Sequence, residues 1–222
     1  MTPSLIRPLT VALLGATGNV GGHYARLALD AGHSLRALVR NPAKLDPILL
    51  NGPDRPNVTA IVGDATSPDD MANLIDSADV VVSCLGNPAK GVHIMTAAAN
   101  NVLEVAAKQP EVPRCVFISS VGMGGTSWFI YKLLELIGRD KAGTADYETA
   151  DQRLRIETTV SVTIVRPYAL TDKPPKGTYT ATTKSPMHIA KPITRSDLAA
   201  FLLETTTNPE WDGPTGVQLS GT

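Results

Sequence analysis

The chain has 222 residues, 43% hydrophobic and 18% charged, with 20 Lys and Arg against 21 Asp and Glu, a formal net charge of -1 and 2 cysteines. That length suffices for one well-buried α/β core, and with no composition break or Gly/Ser-rich linker a single domain over residues 1–222 is expected. Acidic and basic residues are interspersed, which excludes the charge footprint of a nucleic-acid or anionic-membrane partner.

The N-terminal MTPSLIRPLT has neither a long apolar core nor a cleavage-like site, and no apolar run approaches membrane-spanning length, so a cytoplasmic protein is expected. Runs rich in Val, Ile and Leu follow in order: TVALLG, SLRALV, VTAIVG, DVVVSCLG, RCVFISS and VSVTIVRP. Their near-continuous hydrophobicity predicts strands covered on both faces, as in a parallel sheet. Between them, helical apolar spacing predicts helices near Val20 to Ala31, Asp69 to Ser77, Val92 to Lys108, Ala145 to Glu157 and Arg195 to Thr206. Ser67-Pro68-Asp69 and Thr194-Arg195-Ser196-Asp197 supply capping hydroxyls and early acids for the second and last of these. The alternation defines a Rossmann-like, doubly wound α/β fold. After VTIVRP the texture changes to YALTDKPPKGTYTATTKSPMHIAKPITRSDLAAFLLE, where Pro and Gly interrupt short β-prone pieces. This stretch is expected to form a small C-terminal substrate cover over the carboxyl ends of the strands.

Cys84 and Cys115 sit inside apolar runs, as buried strand thiols of a reducing compartment and not as a disulfide. His23, His33, His93 and His188 lack ligand spacing, and no metal is expected.

The first turn carries the strongest signal. GATGNVG places Gly15, Gly18 and Gly21 directly after an apolar strand and at the opening of a helix. The first glycine permits a tight turn, the second lets backbone approach a pyrophosphate, and the third allows close helix packing, with the helix N-terminus facing the phosphates. The second strand ends at Arg40, where an NAD-specific site would carry an acid on the ribose hydroxyls. An arginine there suits the 2′-phosphate of NADP(H), with Lys44 adding charge nearby. VGDATS puts Asp64 and Ala65 where a carboxylate and a carbonyl can read an adenine amino group; Asp64 as a cap for the next helix is the alternative. Gly86, after the fourth strand, lets a nicotinamide ribose approach the backbone.

With these residues the chain resembles the short-chain dehydrogenase/reductase superfamily in its atypical NAD(P)H-binding branch. Typical active members carry a Tyr followed four residues later by Lys, whereas here Tyr147 is followed at that spacing by Asp151, Tyr168 by Asp172 and Tyr131 by Glu135. This constrains the acceptor. Reducing an isolated ketone creates an alkoxide whose conjugate acid has a pKa of about 16, so a positioned acid matters greatly. Hydride delivered to an extended conjugated system leaves a delocalised anion nearer a phenol, about 10 or lower, which water can protonate.

More specifically, the chain is similar to the biliverdin-IXβ reductase/flavin reductase family. The similarity lies in GATGNVG, LVRNPAKL, VGDA, the LG after the fourth strand, Ser119-Ser120 after the fifth, and the tail GTYTAT…ITRSDLAAFLLETTTNPEWDG. It implies NADP(H) on Gly15, Ala16, Thr17, Gly18, Asn19, Val20, Arg40, Asp64, Ala65, Gly86 and Asn87, with Ser120 at the family's active-site serine beside the nicotinamide. Two departures stand out. Where that family has Pro-Pro-His after the sixth strand, this chain reads VRPYAL, with Tyr168 in place of the His. The apolar piece from Trp128 to Ile137 also differs, and core packing, a lid for a planar ligand or a dimer contact are its readings in that order.

Ser119 and Ser120 end a buried strand, where one of them donates to the substrate or the carboxamide or else caps the following turn. Tyr168 offers a phenol to the substrate or stacks on it, or else is a half-buried aromatic. Ser120 and Tyr168 are the candidate substrate-binding groups. Arg166 reads as a structural ion-pair partner ahead of a substrate clamp, and Tyr147 and Asp151, one helical turn apart, as a solvated helix face ahead of a pair reaching into the cleft. The expectation is an NADPH-dependent reductase of a small planar conjugated acceptor, as a monomer or weak homodimer. Two rivals stay open, a non-redox isomerase or cyclase on the same fold and an NADP-sensing regulatory protein without turnover, as similarity to NmrA-like proteins allows.

Overall fold

The computed structural model describes residues 7–45, 57–87, 89, 91–125, 132, 141–184 and 191–222. The predicted segment Trp128 to Ile137, apart from Lys132, and His188 lie outside the described residues. In chain order the elements are β1 (Thr10–Leu14), α1 (Asn19–Asp30), β2 (Ser34–Val39), β3 (Val58–Val62), α2 (Pro68–Ile75), β4 (Val80–Ser83) and α3 (Met95–Ala106). They continue with β5 (Arg114–Ile118), α4 (Lys141–Arg155), β6 (Val162–Pro167), β7 (Leu170–Thr171), β8 (Tyr179–Thr182), β9 (Ile193–Thr194), α5 (Arg195–Thr207) and β10 (Val217–Gly221).

The main sheet has the order β3-β2-β1-β4-β5-β6-β10-β8. Each of the apolar runs seen in the sequence forms one of its parallel strands, β1 to β6. Alternate residues of β1 feed two cores, because a strand's side chains point to opposite faces. Val11 and Leu13 pack with Tyr24, Ala28, Leu198 and Phe201 of α1 and α5. Ala12 and Leu14 pack with Met71, Leu74, Val102 and Leu154 of α2, α3 and α4. The chain leaves β1 toward β2 on one side and reaches β4 on the other, so the carboxyl end of β1 is the topological switch point where such sheets hold ligands.

The expected caps form. Ser67 Oγ accepts from the Asp70 N–H at 3.3 Å and Thr194 Oγ1 from the Asp197 N–H at 3.0 Å. At the far end of α5, Arg114 from β5 donates to the carbonyls of Thr205, Thr206 and Asn208, where a cation complements the helix dipole.

Three expectations need correction. The third helix starts at Met95 and not at Val92, because its cap is tertiary: Asp146 of α4 accepts from the Met95 N–H at 2.9 Å and the Thr96 N–H at 3.0 Å. Part of the supposed cover belongs to the sheet, since β8 pairs antiparallel with β10 and closes that edge. Among the described residues of that stretch, the small parallel pair β7 and β9 lies near the strand ends and holds Ala169 and Leu170, while Tyr168 donates its N–H to the Leu219 carbonyl of β10. Cys84, expected inside a strand, lies just past β4 and is only half buried, whereas Cys115 is fully buried in β5. Among the described residues no helix is long and apolar enough to cross a membrane.

Candidate functional site

A cleft of about 1030 Å³ opens at the carboxyl ends of β1, β4, β5 and β6. Its wall is built from Gly18 to Val20 at the start of α1, Cys84 to Asn87 after β4, Ile118 to Val121 after β5, Tyr147 of α4, Pro167 to Leu170 after β6, and Arg195 at the start of α5.

The glycine turn has the geometry its sequence required. Gly15 sits at φ +81, a conformation open to glycine, and a Cβ there would lie 2.7 Å from the Cys84 carbonyl oxygen. At Gly21 a Cβ would come within 2.1 Å of the Gly15 carbonyl oxygen, so only glycine lets α1 seat this closely on the turn. Helix α1 begins at the exposed Gly18-Asn19 pair with no side-chain cap and no acid in its first turn. Its first N–H groups and the positive end of its dipole thus face the cleft without a protein anion to satisfy them. This is a fit for a diphosphate.

Seven of the cofactor and substrate candidates meet in this cleft, Gly18, Asn19, Val20, Gly86, Asn87, Ser120 and Tyr168, together with Ser119 and Tyr147. Gly15, Ala16 and Thr17 form the turn immediately before it. Arg40, Asp64 and Ala65 do not line the same cleft and lie beyond β1, after β2 and β3. Arg40 is exposed. Asp64 is no helix cap, since Ser67 fills that role; its carboxylate accepts from the hydroxyl and the backbone N–H of Thr66. Those hydrogen bonds, and after them the nearby Arg40 charge, hold the Asp64 carboxyl below its usual range. The Ala65 carbonyl already accepts from Asn101 Nδ2 at 3.1 Å. Asn87 braces the floor, its Nδ2 donating to the Gly143 carbonyl and its Oδ1 accepting from the Ile94 N–H.

Beneath the cleft lies a network the sequence reading missed. Tyr147 and Asp151 are not the solvated face the sequence favours: Tyr147 lines the cleft, in line with the alternative for the pair, and Asp151 is 0% exposed. The Asp151 carboxylate accepts two hydrogen bonds from the equally buried Arg166, Nε at 2.8 Å and Nη2 at 2.7 Å. Ser119 Oγ donates to the same carboxylate at 2.6 Å. Arg166 is thus the structural partner expected of it, and its Nη1 donates to the Thr215 carbonyl. The Tyr147 hydroxyl stands over Gly86, 3.0 Å from where a Cβ would be. Cys84 is half buried as a residue, but its thiol packs against the core of α1 and α5, and that desolvation pushes it up to about 12, so it is protonated at neutral pH. Burial also raises the Tyr168 phenol above its ordinary value.

Known proteins share this architecture. An oxidoreductase-named, uncharacterized protein of Schizosaccharomyces pombe is 32% identical over 123 residues, covering 50% of this chain and 37% of that relative. The chain therefore spans well under two thirds of the curated relatives it matches. A short-chain dehydrogenase/reductase of Veillonella parvula, solved in complex with NADP, superposes with a TM-score of 0.78 at 16% identity, over 96% of this chain and 94% of the other. The anaerobillin reductase ChuY of Escherichia coli O157:H7 superposes with a TM-score of 0.75 at 20% identity, over 95% and 96% of the two chains. At these identities the structures share the fold. The family model described as NAD(P)H-binding matches residues 15–209, from the glycine turn to beyond α5, and the chain belongs to that NAD(P)H-binding family.

Proposed function

We propose that the protein is an NADPH-dependent reductase that passes hydride to a planar conjugated acceptor such as a flavin, a quinone or a linear tetrapyrrole. The observation that carries this reading is the chemistry of the cleft wall. Among its described residues there is no Asp, Glu, His or Lys, and its one charged side chain, Arg195, is ion-paired with Asp172 at 2.7 Å. An isomerase or cyclase needs a positioned acid or base whose pKa suits the working pH. This wall offers hydroxyls and phenols, which serve orientation better than proton abstraction.

The residues divide the work accordingly. The first N–H groups of α1, at Asn19 and Val20, hold the diphosphate, while Gly15, Ala16, Thr17 and Gly18, whose own N–H donates to the Gly15 carbonyl at 2.9 Å, shape the turn that lets it approach. Arg40 takes the 2′-phosphate, Asp64 and Ala65 take the adenine edge, and Gly86 and Asn87 face the nicotinamide ribose. Ser120 and Tyr168 donate hydrogen bonds to the acceptor. The raised Tyr168 phenol keeps its proton through neutral pH and so stays a donor. When bound, NADPH supplies the hydride, and the surrounding protein supplies orientation. Solvent at the open mouth of the cleft supplies the proton, which a delocalised product anion permits. A fold shared with an NADP complex and with a reductase supports the reading.

The test is loss of the near-ultraviolet absorbance of NADPH with purified protein and FMN, a quinone or biliverdin as separate acceptors, against NADH and protein-free controls. Protein-dependent oxidation with at least one acceptor, faster with NADPH, is expected. Tight NADPH binding without oxidation across the panel would oppose reductase chemistry and favour the regulatory alternative. Turnover of a substrate without NADPH consumption would favour the isomerase.

A further inference from the structure

We infer that Ser119, and not only its neighbour Ser120, reads the ligand, and that it does so as a hydrogen-bond acceptor for the carboxamide NH2 of the nicotinamide. The inference rests on the NADPH reading and goes beyond it by fixing the polarity of one position in the cleft.

A serine hydroxyl has one hydrogen and two lone pairs. The hydrogen of Ser119 is committed inward, to Asp151 Oδ2 at 2.6 Å. The acceptor it meets is itself immobile. Asp151 and Arg166 are each 0% exposed, and the guanidinium grips the carboxylate through two nitrogens while its third donates to the Thr215 carbonyl at 2.6 Å. Two glycines close around that guanidinium: a Cβ at Gly124 or at Gly216 would lie 2.5 Å from an Arg166 nitrogen. The pair therefore has no room to swing away and release the serine proton. Ser119 lines the cleft, and with its hydrogen committed inward any bond its hydroxyl makes to a ligand there is made as an acceptor, which favours an N–H donor and disfavours a carbonyl.

The donor has two possible sources, the cofactor carboxamide or an N–H of the acceptor. Position favours the carboxamide. Strands β1, β4 and β5 are adjacent, so Ser119 lies two strand spacings, roughly 10 Å, across from the diphosphate turn, with Gly86 between them. A nicotinamide riboside leaving the start of α1 and passing Gly86 ends at Ser119.

The experiment is equilibrium binding without any acceptor, comparing NADPH with its 3-acetylpyridine analogue, in which a methyl replaces the amide nitrogen and the adenosine half is unchanged. Wild type is expected to prefer NADPH by about three- to tenfold, the worth of one hydrogen bond. Ser119→Ala is expected to weaken NADPH by that factor and leave the analogue unchanged, bringing the preference to about one. Unchanged analogue binding also reports an intact cleft. A preference that survives Ser119→Ala, or an equal loss for both nucleotides, overturns the inference. If Ser119→Ala spares binary binding but raises the KM of an N–H-bearing acceptor, the donor belongs to the acceptor and the carboxamide assignment falls. No preference in wild type overturns this inference alone, while failure of both nucleotides to bind overturns the cofactor reading and takes the inference with it.

Discussion

Asp151→Ala is expected to lower the free energy of unfolding by about 3–5 kcal/mol, the cost of leaving the partner of a buried ion pair uncompensated. The guanidinium of Arg166 is 0% exposed and would keep the Thr215 carbonyl at 2.6 Å while losing both bonds to the carboxylate. Ser119 would lose its acceptor as well. Urea denaturation monitored by circular dichroism gives the number. The control is the double replacement Asp151→Leu with Arg166→Met, which removes both charges and is expected to recover most of the loss, because a buried pair gains little over an apolar pair of similar size. A loss under about 1 kcal/mol for Asp151→Ala would resemble an exposed ion pair and would mean that water reaches the network.

Arg40→Glu is expected to weaken NADPH by about ten- to a hundredfold at low salt and to change NADH by roughly threefold or less, since a charge-assisted bond to a phosphate contributes about 1.5–3 kcal/mol. Arg40 is exposed at the end of β2, so the effect should shrink as added salt screens it. Titration of both nucleotides at two ionic strengths separates the cases. Equal losses for NADPH and NADH would remove the 2′-phosphate assignment and point to a general distortion around Asp64, whose carboxylate senses the Arg40 charge.

The parts legible in the sequence were those written in short-range chemistry. Apolar runs of β-branched residues become β1 to β6, the hydroxyls of Ser67 and Thr194 cap the helices they precede, and the spacing of Gly15 and Gly21 records contacts made within one turn. The missed features are long-range and polar. Helix α4 reads KAGTADYETADQRLR, so its polar surface resembles a solvated face, yet Ala150, Asp151 and Leu154 are buried. Only the return of β6 with Arg166 makes that burial of Asp151 tolerable. Likewise Asp146 caps a helix 50 residues earlier in the chain, and Asn101 reaches the Ala65 carbonyl across 36 residues, pairings without a local signature. Strand β8 was obscured because its sequence, YTAT, is short and polar, and it becomes a strand by pairing with β10.

Direct hydride delivery within the cleft is best examined with NADPH deuterated at one or the other face of nicotinamide C4, using the fastest acceptor of the panel in single turnovers. Slower NADPH consumption with one stereoisomer and not the other would establish that the protein holds one face of the ring toward the acceptor. Consumption at the same rate with both isomers and with unlabelled NADPH, or none at all despite saturating binding, would contradict a cleft built to orient hydride transfer.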